Sequence, residues 1–378
     1  MTRYAHITGW GMAVPEQVLT NADLTARFDT TEEWIVSRTG IRERRIARHG
    51  ETTASLGTAA ALRALESTDL SARDLQLIIV ATSSPEHIFP ATACLIQDRL
   101  GASRAGAFDL SAACTGFIFA LNMAAQAIIS GSIDSALVIG SETLSRLVNW
   151  EDRSTCVLFG DGAGAFVLEA RDRPGGVLSC TMRSDGSGGN VLSVPAGGSY
   201  MPTTLDTVNK KLHTIHMNGR EVFRFATRVM AESTREAAFD AGLTLSEIEV
   251  IVPHQANLRI LEAAARSLQM PMSRFVINID RYGNTSTASI PIAVFEGVEA
   301  GRIKPGDHVA LVGFGAGLTW GAMIVQWVAP GRGVTPKARR RWWLAAWLAR
   351  ARSALRRLAR WIEGFLWGTV APGKEDEA

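Results

Sequence analysis

Ala107-Phe108-Asp109-Leu110-Ser111-Ala112-Ala113-Cys114-Thr115-Gly116-Phe117 is a short apolar run that turns through small residues into an Ala-rich stretch. Apolar residues then recur at helical spacing from Phe117 to Ile129 and stop at Gly131, so the segment reads as strand, tight turn and helix. Cys114 falls near the helix N-terminus, where unpaired backbone N–H groups and the helix dipole favour negative charge. A thiol there is expected to ionise below its free pKa of about 8.5 and to act as a nucleophile. The competing reading is a small buried residue opening a core helix, since free cysteine is among the most buried side chains.

The surrounding composition limits what such a cysteine can belong to. With 378 residues, 47% hydrophobic and 20% charged, the chain can bury one large or two ordinary cores, which excludes disordered and fibrous classes. The first nine residues, Met1 to Gly9, lack a basic region followed by a sustained apolar run, so they read as a first β-strand and not a signal peptide. A cytoplasmic location is expected. Cys94, Cys114, Cys156 and Cys180 have no CxxC spacing, which argues for reduced thiols over zinc sites or structural disulfides.

Charge is unevenly spread. From Gly331 onward there are eleven Lys/Arg against four Asp/Glu, a tail of +7 on a body of −5. Pro330-Gly331-Arg332-Gly333-Val334-Thr335-Pro336 between them reads as a linker.

The body contains an internal repeat. Asp74–Ile79 is similar to Glu247–Val252, and Asp134–Gly140 to Asp307–Gly313, both pairs offset by 173 residues. Each segment is an acidic residue followed by a continuous apolar run, the pattern of a strand buried on both faces. Two similar α/β halves are therefore expected, 1–172 and 173–330, with 331–378 as linker and tail. At the same offset Ser111 falls opposite Asn284, so the turn before the Cys114 helix has its counterpart in Tyr282-Gly283-Asn284-Thr285-Ser286. Pseudo-twofold related halves would bring these two helix starts together and build a site between them.

Other segments carry chemistry less specifically. Thr31 to Arg45 combines Trp34 with Arg38, Arg42, Arg44 and Arg45, a flat face for a base and forks for phosphate, or simply a solvated basic helix end. Ser83–Pro90 reads as a loop closing a strand. Gly160-Asp161-Gly162-Ala163-Gly164 lacks the Lys-Ser/Thr and the strand-to-helix context of a phosphate loop, and reads as a turn between buried strands in close contact. His254 directly follows the buried run Val250-Ile251-Val252-Pro253, at the carboxyl end of a strand where open α/β sheets place their sites. Asn284 could donate its amide into the same cavity or cap a helix. Gly313-Phe314-Gly315-Ala316-Gly317 is nearly bare backbone whose N–H groups could approach a ligand. Cysteine, histidine, asparagine and such a loop are the parts of an acyl-transfer site.

From Tyr4 to Trp327 the chain resembles the β-ketoacyl-acyl carrier protein synthase III family of thiolase-fold condensing enzymes, through EEWIVSRTGIRERR, DLSAACTGF, DRSTCVLFGDGAGA, PHQANLRI, YGNTSTAS, GRIKPGD and GAGLTWG. The resemblance implies a layered α-β-α-β-α fold of duplicated halves and a homodimer. It implies Cys114 as the acylated nucleophile, His254 and Asn284 as its partners in decarboxylation, and the backbone N–H groups of Cys114 and Ala316 as the oxyanion hole. Trp34, Arg38 and Arg153 would hold the nucleotide end of coenzyme A, Gly219 and Asn257 would lie along its pantetheine channel, and Arg259 would face acyl carrier protein. Phe89 would reach the acyl pocket of the dimer partner. Ala316 replaces a glycine common in the family, which is tolerable where only a backbone N–H is needed. The implied reaction joins an acyl-CoA primer to malonyl-acyl carrier protein without a metal or redox cofactor, initiating fatty acid synthesis. A related acyltransferase of specialised metabolism and an inactive membrane-associated scaffold are the alternatives.

The tail departs from the family. Between Arg339 and Trp367, Leu344, Trp347, Leu348, Ala351, Leu355, Leu358, Ile362 and Phe365 share one helical face, with Arg350, Arg352, Arg356, Arg357 and Arg360 on the other. Its longest uncharged run, Trp342 to Ala349, is far shorter than the about 20 residues that span a bilayer. A basic amphipathic helix of this kind suits an anionic membrane surface, with packing on its own dimer or a protein partner as alternatives; nucleic acid is not expected.

Overall fold

Five segments of the first half form one sheet: β1 (Tyr4–Ala13), β2 (Leu77–Ala81), β3 (Gly106–Leu110), β4 (Ser135–Thr143) and β5 (Asp161–Arg171), in the order β1-β5-β4-β2-β3. Four segments of the second half form another: β6 (Gly176–Ser184), β7 (Val250–Pro253), β8 (His308–Gly315) and β9 (Thr319–Gln326), in the order β7-β8-β9-β6. The computed structural model describes residues 2–27, 29–328, and in the tail 348, 351, 352, 355, 356 and 358–363. The rest of the expected tail helix and the linker lie outside the described residues.

The two sheets repeat each other in direction and register. In both, the first strand in sequence pairs antiparallel with the last, the last antiparallel with its neighbour, and that neighbour parallel with the next. Leu77 faces Ala136 and Val250 faces Val309, so both residues of the second pair lie 173 positions after their counterparts. Only the fifth position differs, because β3 is replaced by Phe275, which makes a single parallel bridge to Ile251.

Helices fill three layers around these sheets. α1 (Glu32–Thr39) lies apart, near the mouth of the site described below. α2 (Thr53–Glu66) and α3 (Thr92–Leu100) cover the outer face of the first sheet, and α2 begins with a capping box between Thr52 and Ser55. α4 (Gly116–Ile129) lies in the middle layer, and its sequence is apolar nearly all round because both sheets touch it. α5 (Gly219–Asp240) and α6 (Leu258–Leu268) are amphipathic and cover the outer face of the second sheet. α7 (Ser289–Glu299) joins α4 in the middle. The result is the expected α-β-α-β-α layering. Phe117, Ile118, Leu121 and Ile128 of α4 are 0% exposed, and full burial of such side chains is worth roughly 1.5–3 kcal/mol each.

One local expectation changes. Asp161-Gly162-Ala163-Gly164 is not a turn but the opening of β5. Its glycines serve close packing: a Cβ on Gly164 would come within 2.6 Å of Pro291 in α7.

Candidate active site

The two middle helices start at matching places. Ala113–Thr115 forms a single 3-10 turn ahead of α4, and Ser286–Ala288 forms another ahead of α7. Their first residues, Ala113 and Ser286, are 173 positions apart and share φ +47°, a left-handed conformation that costs a non-glycine residue about 1–3 kcal/mol. By this correspondence Cys114 matches Thr287 and Gly116 matches Ser289. The strain is held by close packing. A Cβ on Gly140 of β4 would lie 2.2 Å from the Thr287 carbonyl oxygen, and one on Gly315 of β8 would lie 2.7 Å from the Cys114 nitrogen. Only glycine lets the sheets come so near the turns.

Cys114, His254 and Asn284 all line one cavity of about 280 Å³. Each is under a tenth exposed: Cys114 8%, His254 1% and Asn284 7%. His254 follows β7, its backbone N–H donating to Val312 O at 2.8 Å, and its ring meets the Phe314 ring at 5.4 Å between centroids. Nδ1 lies 2.7 Å from Ser289 Oγ, whereas the buried Nε2 has no partner among the described residues. Asn284 accepts the Ser286 backbone N–H at 2.8 Å. A backbone N–H can only donate, so the bonded atom is Oδ1 and the NH₂ group remains for the cavity.

Burial reverses the expected acidity of the nucleophile. Loss of solvation pushes the Cys114 thiol up to about 12, opposed by a hydrogen bond from Ser286 and reinforced by the nearby Glu142 carboxylate. At rest Cys114 is a thiol, and its proximity to a helix start acts on charge that develops during attack. Burial likewise takes His254 down to about 3, so its imidazole is neutral at physiological pH. Iodoacetamide alkylation of Cys114, followed by peptide mass spectrometry, is expected to accelerate with pH beyond about 9. A plateau near neutrality would contradict a resting thiol.

Glu142, at the end of β4, is a functional candidate that sequence reasoning missed. It is 0% exposed and accepts from Ser83 N–H at 3.0 and 3.1 Å, Ser84 Oγ at 2.5 Å and Thr287 Oγ1 at 2.9 Å, while burial pushes its acidity down by raising the pKa. This clasp ties the first half to the turn carrying Asn284 and Ser286. No motif signalled it, because its partners come from two distant segments, the loop at Ser83-Ser84 and the turn at Thr287.

Trp34, Arg38, Gly219 and Asn257 line the same cavity, and the Asn257 amide donates to Arg38 O at 2.9 Å. The Arg153 guanidinium sits 5.1 Å from the Trp34 ring centroid and also donates to Asp29 O. Arg259 lies over the ring of Phe223, another lining residue, at 5.6 Å. Four expected residues stand apart from the lining: Arg153 and Arg259, which contact the lining rings of Trp34 and Phe223, and Ala316 and Phe89. Gly315 lines the cavity where Ala316 was expected, and the Ala316 carbonyl accepts from Thr319 Oγ1 at 3.0 Å. Phe89 is 84% exposed and does not reach the cavity of its own chain. Sequence reasoning also missed the apolar walls, including Phe225, Leu318 and Val157, whose spacing marks them only as core.

Duplicated α/β halves with a cysteine, a histidine and an asparagine converging at their junction define a thiolase-fold condensing acyltransferase. Residues 108–186 match the 3-oxoacyl-[acyl-carrier-protein (ACP)] synthase III family, and residues 239–327 match its C-terminal domain. The chain is 51% identical over 329 residues to the β-ketoacyl-[acyl-carrier-protein] synthase III of Roseiflexus sp. strain RS-1, covering 87% of this chain and 100% of that one. The crystal structure of the 3-oxoacyl-[acyl-carrier-protein] synthase III of Aquifex aeolicus superposes with a TM-score of 0.79 at 45% identity, covering 85% of this chain and 100% of that one. The priming β-ketosynthase of the R1128 polyketide biosynthetic pathway gives 0.80 at 36% identity, covering 87% and 98%. The chain belongs to the β-ketoacyl-[acyl-carrier-protein] synthase III family.

Proposed function

We propose that the cavity takes an acyl-CoA primer, transfers the acyl group to Cys114 Sγ, and condenses it with malonyl-acyl carrier protein to initiate fatty acid synthesis. The observation that carries this reading is the convergence of Cys114, the free His254 Nε2 and the oriented Asn284 amide on one enclosed space. Cys114 attacks the thioester carbonyl as its thiol proton departs, and the oxyanion is held by the backbone N–H of Cys114 together with that of the loop at Gly315-Ala316, of which Gly315 lines the cavity. Coenzyme A leaves with a proton. When the malonyl group loses CO₂, negative charge moves to its thioester oxygen, and His254 Nε2–H and the Asn284 amide donate to it. The carbanion then attacks the acyl-cysteine carbonyl, and the expelled Cys114 thiolate takes a proton from water to return to the resting thiol. Every step uses protein groups and water alone, so the chemistry calls for no metal or redox cofactor.

The halves 1–172 and 173–330 divide the labour in this reading, the first supplying the nucleophile and the second the two donors. Trp34 and Arg153 offer a stacked face and a positive charge for the nucleotide end of coenzyme A, with Arg38 beside them. Gly219 and Asn257 flank the pantetheine arm, and Arg259 meets acyl carrier protein. Edge strand β3, with Phe108 42% exposed, and the exposed Ile88 and Phe89 suit pairing with a second copy, whose Phe89 would close the acyl pocket. The test is intact-mass spectrometry after incubation with a panel of acyl-CoAs, followed by a chase with malonyl-acyl carrier protein. One acyl adduct discharged by the chase supports the reading. The similarity to the R1128 priming enzyme favours a second one, specialised metabolism, for which the adduct would persist until a different acceptor is supplied.

For the tail we propose peripheral contact of the cytoplasmic protein with an anionic membrane surface. The described tail residues are helical, with Leu348, Leu355, Leu358 and Ile362 exposed by 44%, 64%, 51% and 43% along one side. Arg352, Arg356 and Arg360 are exposed beside them, and no helix among the described residues is long and apolar enough to cross a membrane. The full chain is expected to co-sediment with phosphatidylglycerol vesicles but not with phosphatidylcholine ones, and to be released when Arg352, Arg356 and Arg360 become Glu. Failure to bind, with self-association reduced by the same changes, would assign the helix to the dimer.

A further inference from the structure

The condensation step needs a proton on one particular nitrogen of His254. To donate to an enolate oxygen, a neutral imidazole must carry its hydrogen on Nε2 and leave Nδ1 as an acceptor. Which tautomer exists is decided by the partner of Nδ1, and here that partner is Ser289 Oγ, 2.7 Å away at the first position of α7.

Ser289 is 2% exposed, and its hydroxyl has two neighbours, His254 Nδ1 and the Gln255 backbone N–H at 3.4 Å. The Gln255 N–H can only donate. If Nδ1 also carried a hydrogen, Ser289 Oγ would face two donors and its own proton would have no acceptor among the described residues, a costly orphan in a buried site. If Nδ1 is bare, every group is satisfied: Gln255 N–H donates to Oγ, and Oγ–H donates to Nδ1. The remaining hydrogen then sits on Nε2, the atom that has no partner among the described residues and belongs to a cavity-lining ring.

We infer that Ser289 is the positioning residue that holds His254 in its Nε2–H tautomer, so that the ring meets the malonyl thioester as a donor. This rests on the condensing function proposed above. It also explains the polarity of the position. Gly116 occupies the matching place in α4, where no histidine has to be held.

The test separates the two half-reactions and reads the tautomer directly. In Ser289→Ala, acylation of Cys114 by acyl-CoA is expected to stay within about twofold, while discharge by malonyl-acyl carrier protein slows by roughly 10–100-fold, by analogy with the loss of partners that fix the tautomer of a metal-bound histidine. Ser289→Thr, which keeps the hydroxyl, should restore most of the discharge rate. Nitrogen-15 NMR of histidine-labelled wild type should show Nε2–H at His254, with Nδ1–H gaining population in Ser289→Ala. A wild type that never forms the adduct would defeat the condensing function itself. A working wild type with Nδ1–H at His254, or a Ser289→Ala variant with unaltered discharge, would overturn the inference alone.

Discussion

Replacing Cys114 by Ala is expected to abolish the acyl adduct and to lower condensation by about 10⁴-fold or more, in line with loss of a covalent nucleophile. The fold should survive, because the change removes only one atom and Cys114, unlike Ala113 before it, is not in the left-handed conformation. The cavity lining changes by one sulfur atom. Intact mass after incubation with the preferred acyl-CoA is the direct measurement. An adduct that persists in Cys114→Ala would move the chemistry to another thiol. None of the other cysteines lines the cavity with His254 and Asn284: Cys156 and Cys180 are pushed up to about 11 and about 12 by burial elsewhere, and Cys94 is exposed on α3.

The second large effect separates loading from condensation. His254→Ala and Asn284→Ala should each acquire the acyl group but discharge it about 10²–10³-fold more slowly, the scale for deleting one donor to a developing oxyanion. Combining the two should cost less than the product of the single losses, because both groups serve one oxygen. Discharge should also lack an acid limb at the ordinary histidine pKa. With the folded-state value lowered to about 3, the imidazole stays neutral as pH falls through about 6.5. Stability pays instead: the unfolded chain binds the proton between those two values and the folded one does not, so the stabilisation is present above about 6.5 and lost as pH falls towards 3. An acid limb near 6.5 in single-turnover discharge would contradict the buried neutral ring.

Much of this architecture could be read along the chain. The apolar runs at a 173-residue offset foretold two sheets of matching register, and the strand-turn-helix around Cys114 was legible from spacing and small residues. Acidity was not. Sequence exposes a helix start but hides the packing that removes water from Cys114, and the second effect dominates. Glycines misled in a similar way: Gly162 and Gly164 suggested a turn, yet they are strand residues that admit α7. Glu142 lies in no motif, and Ser286 and Ser289 sit inside YGNTSTAS without any sign of their roles, since an ordinary polar residue becomes informative only when its partners are known. The offset that pairs Ser111 with Asn284 also pairs Cys114 with Thr287 and Gly116 with Ser289.

The shared middle layer has a consequence for how the molecule comes apart. Side chains of α4 and α7 pack with both sheets in one continuous core, and the Glu142 carboxylate is solvated only by groups drawn from both halves. Opening either half would strand that charge and expose the apolar face of the other. The two similar halves therefore form a single cooperative unit, in which slow amide exchange should vanish from both sheets together.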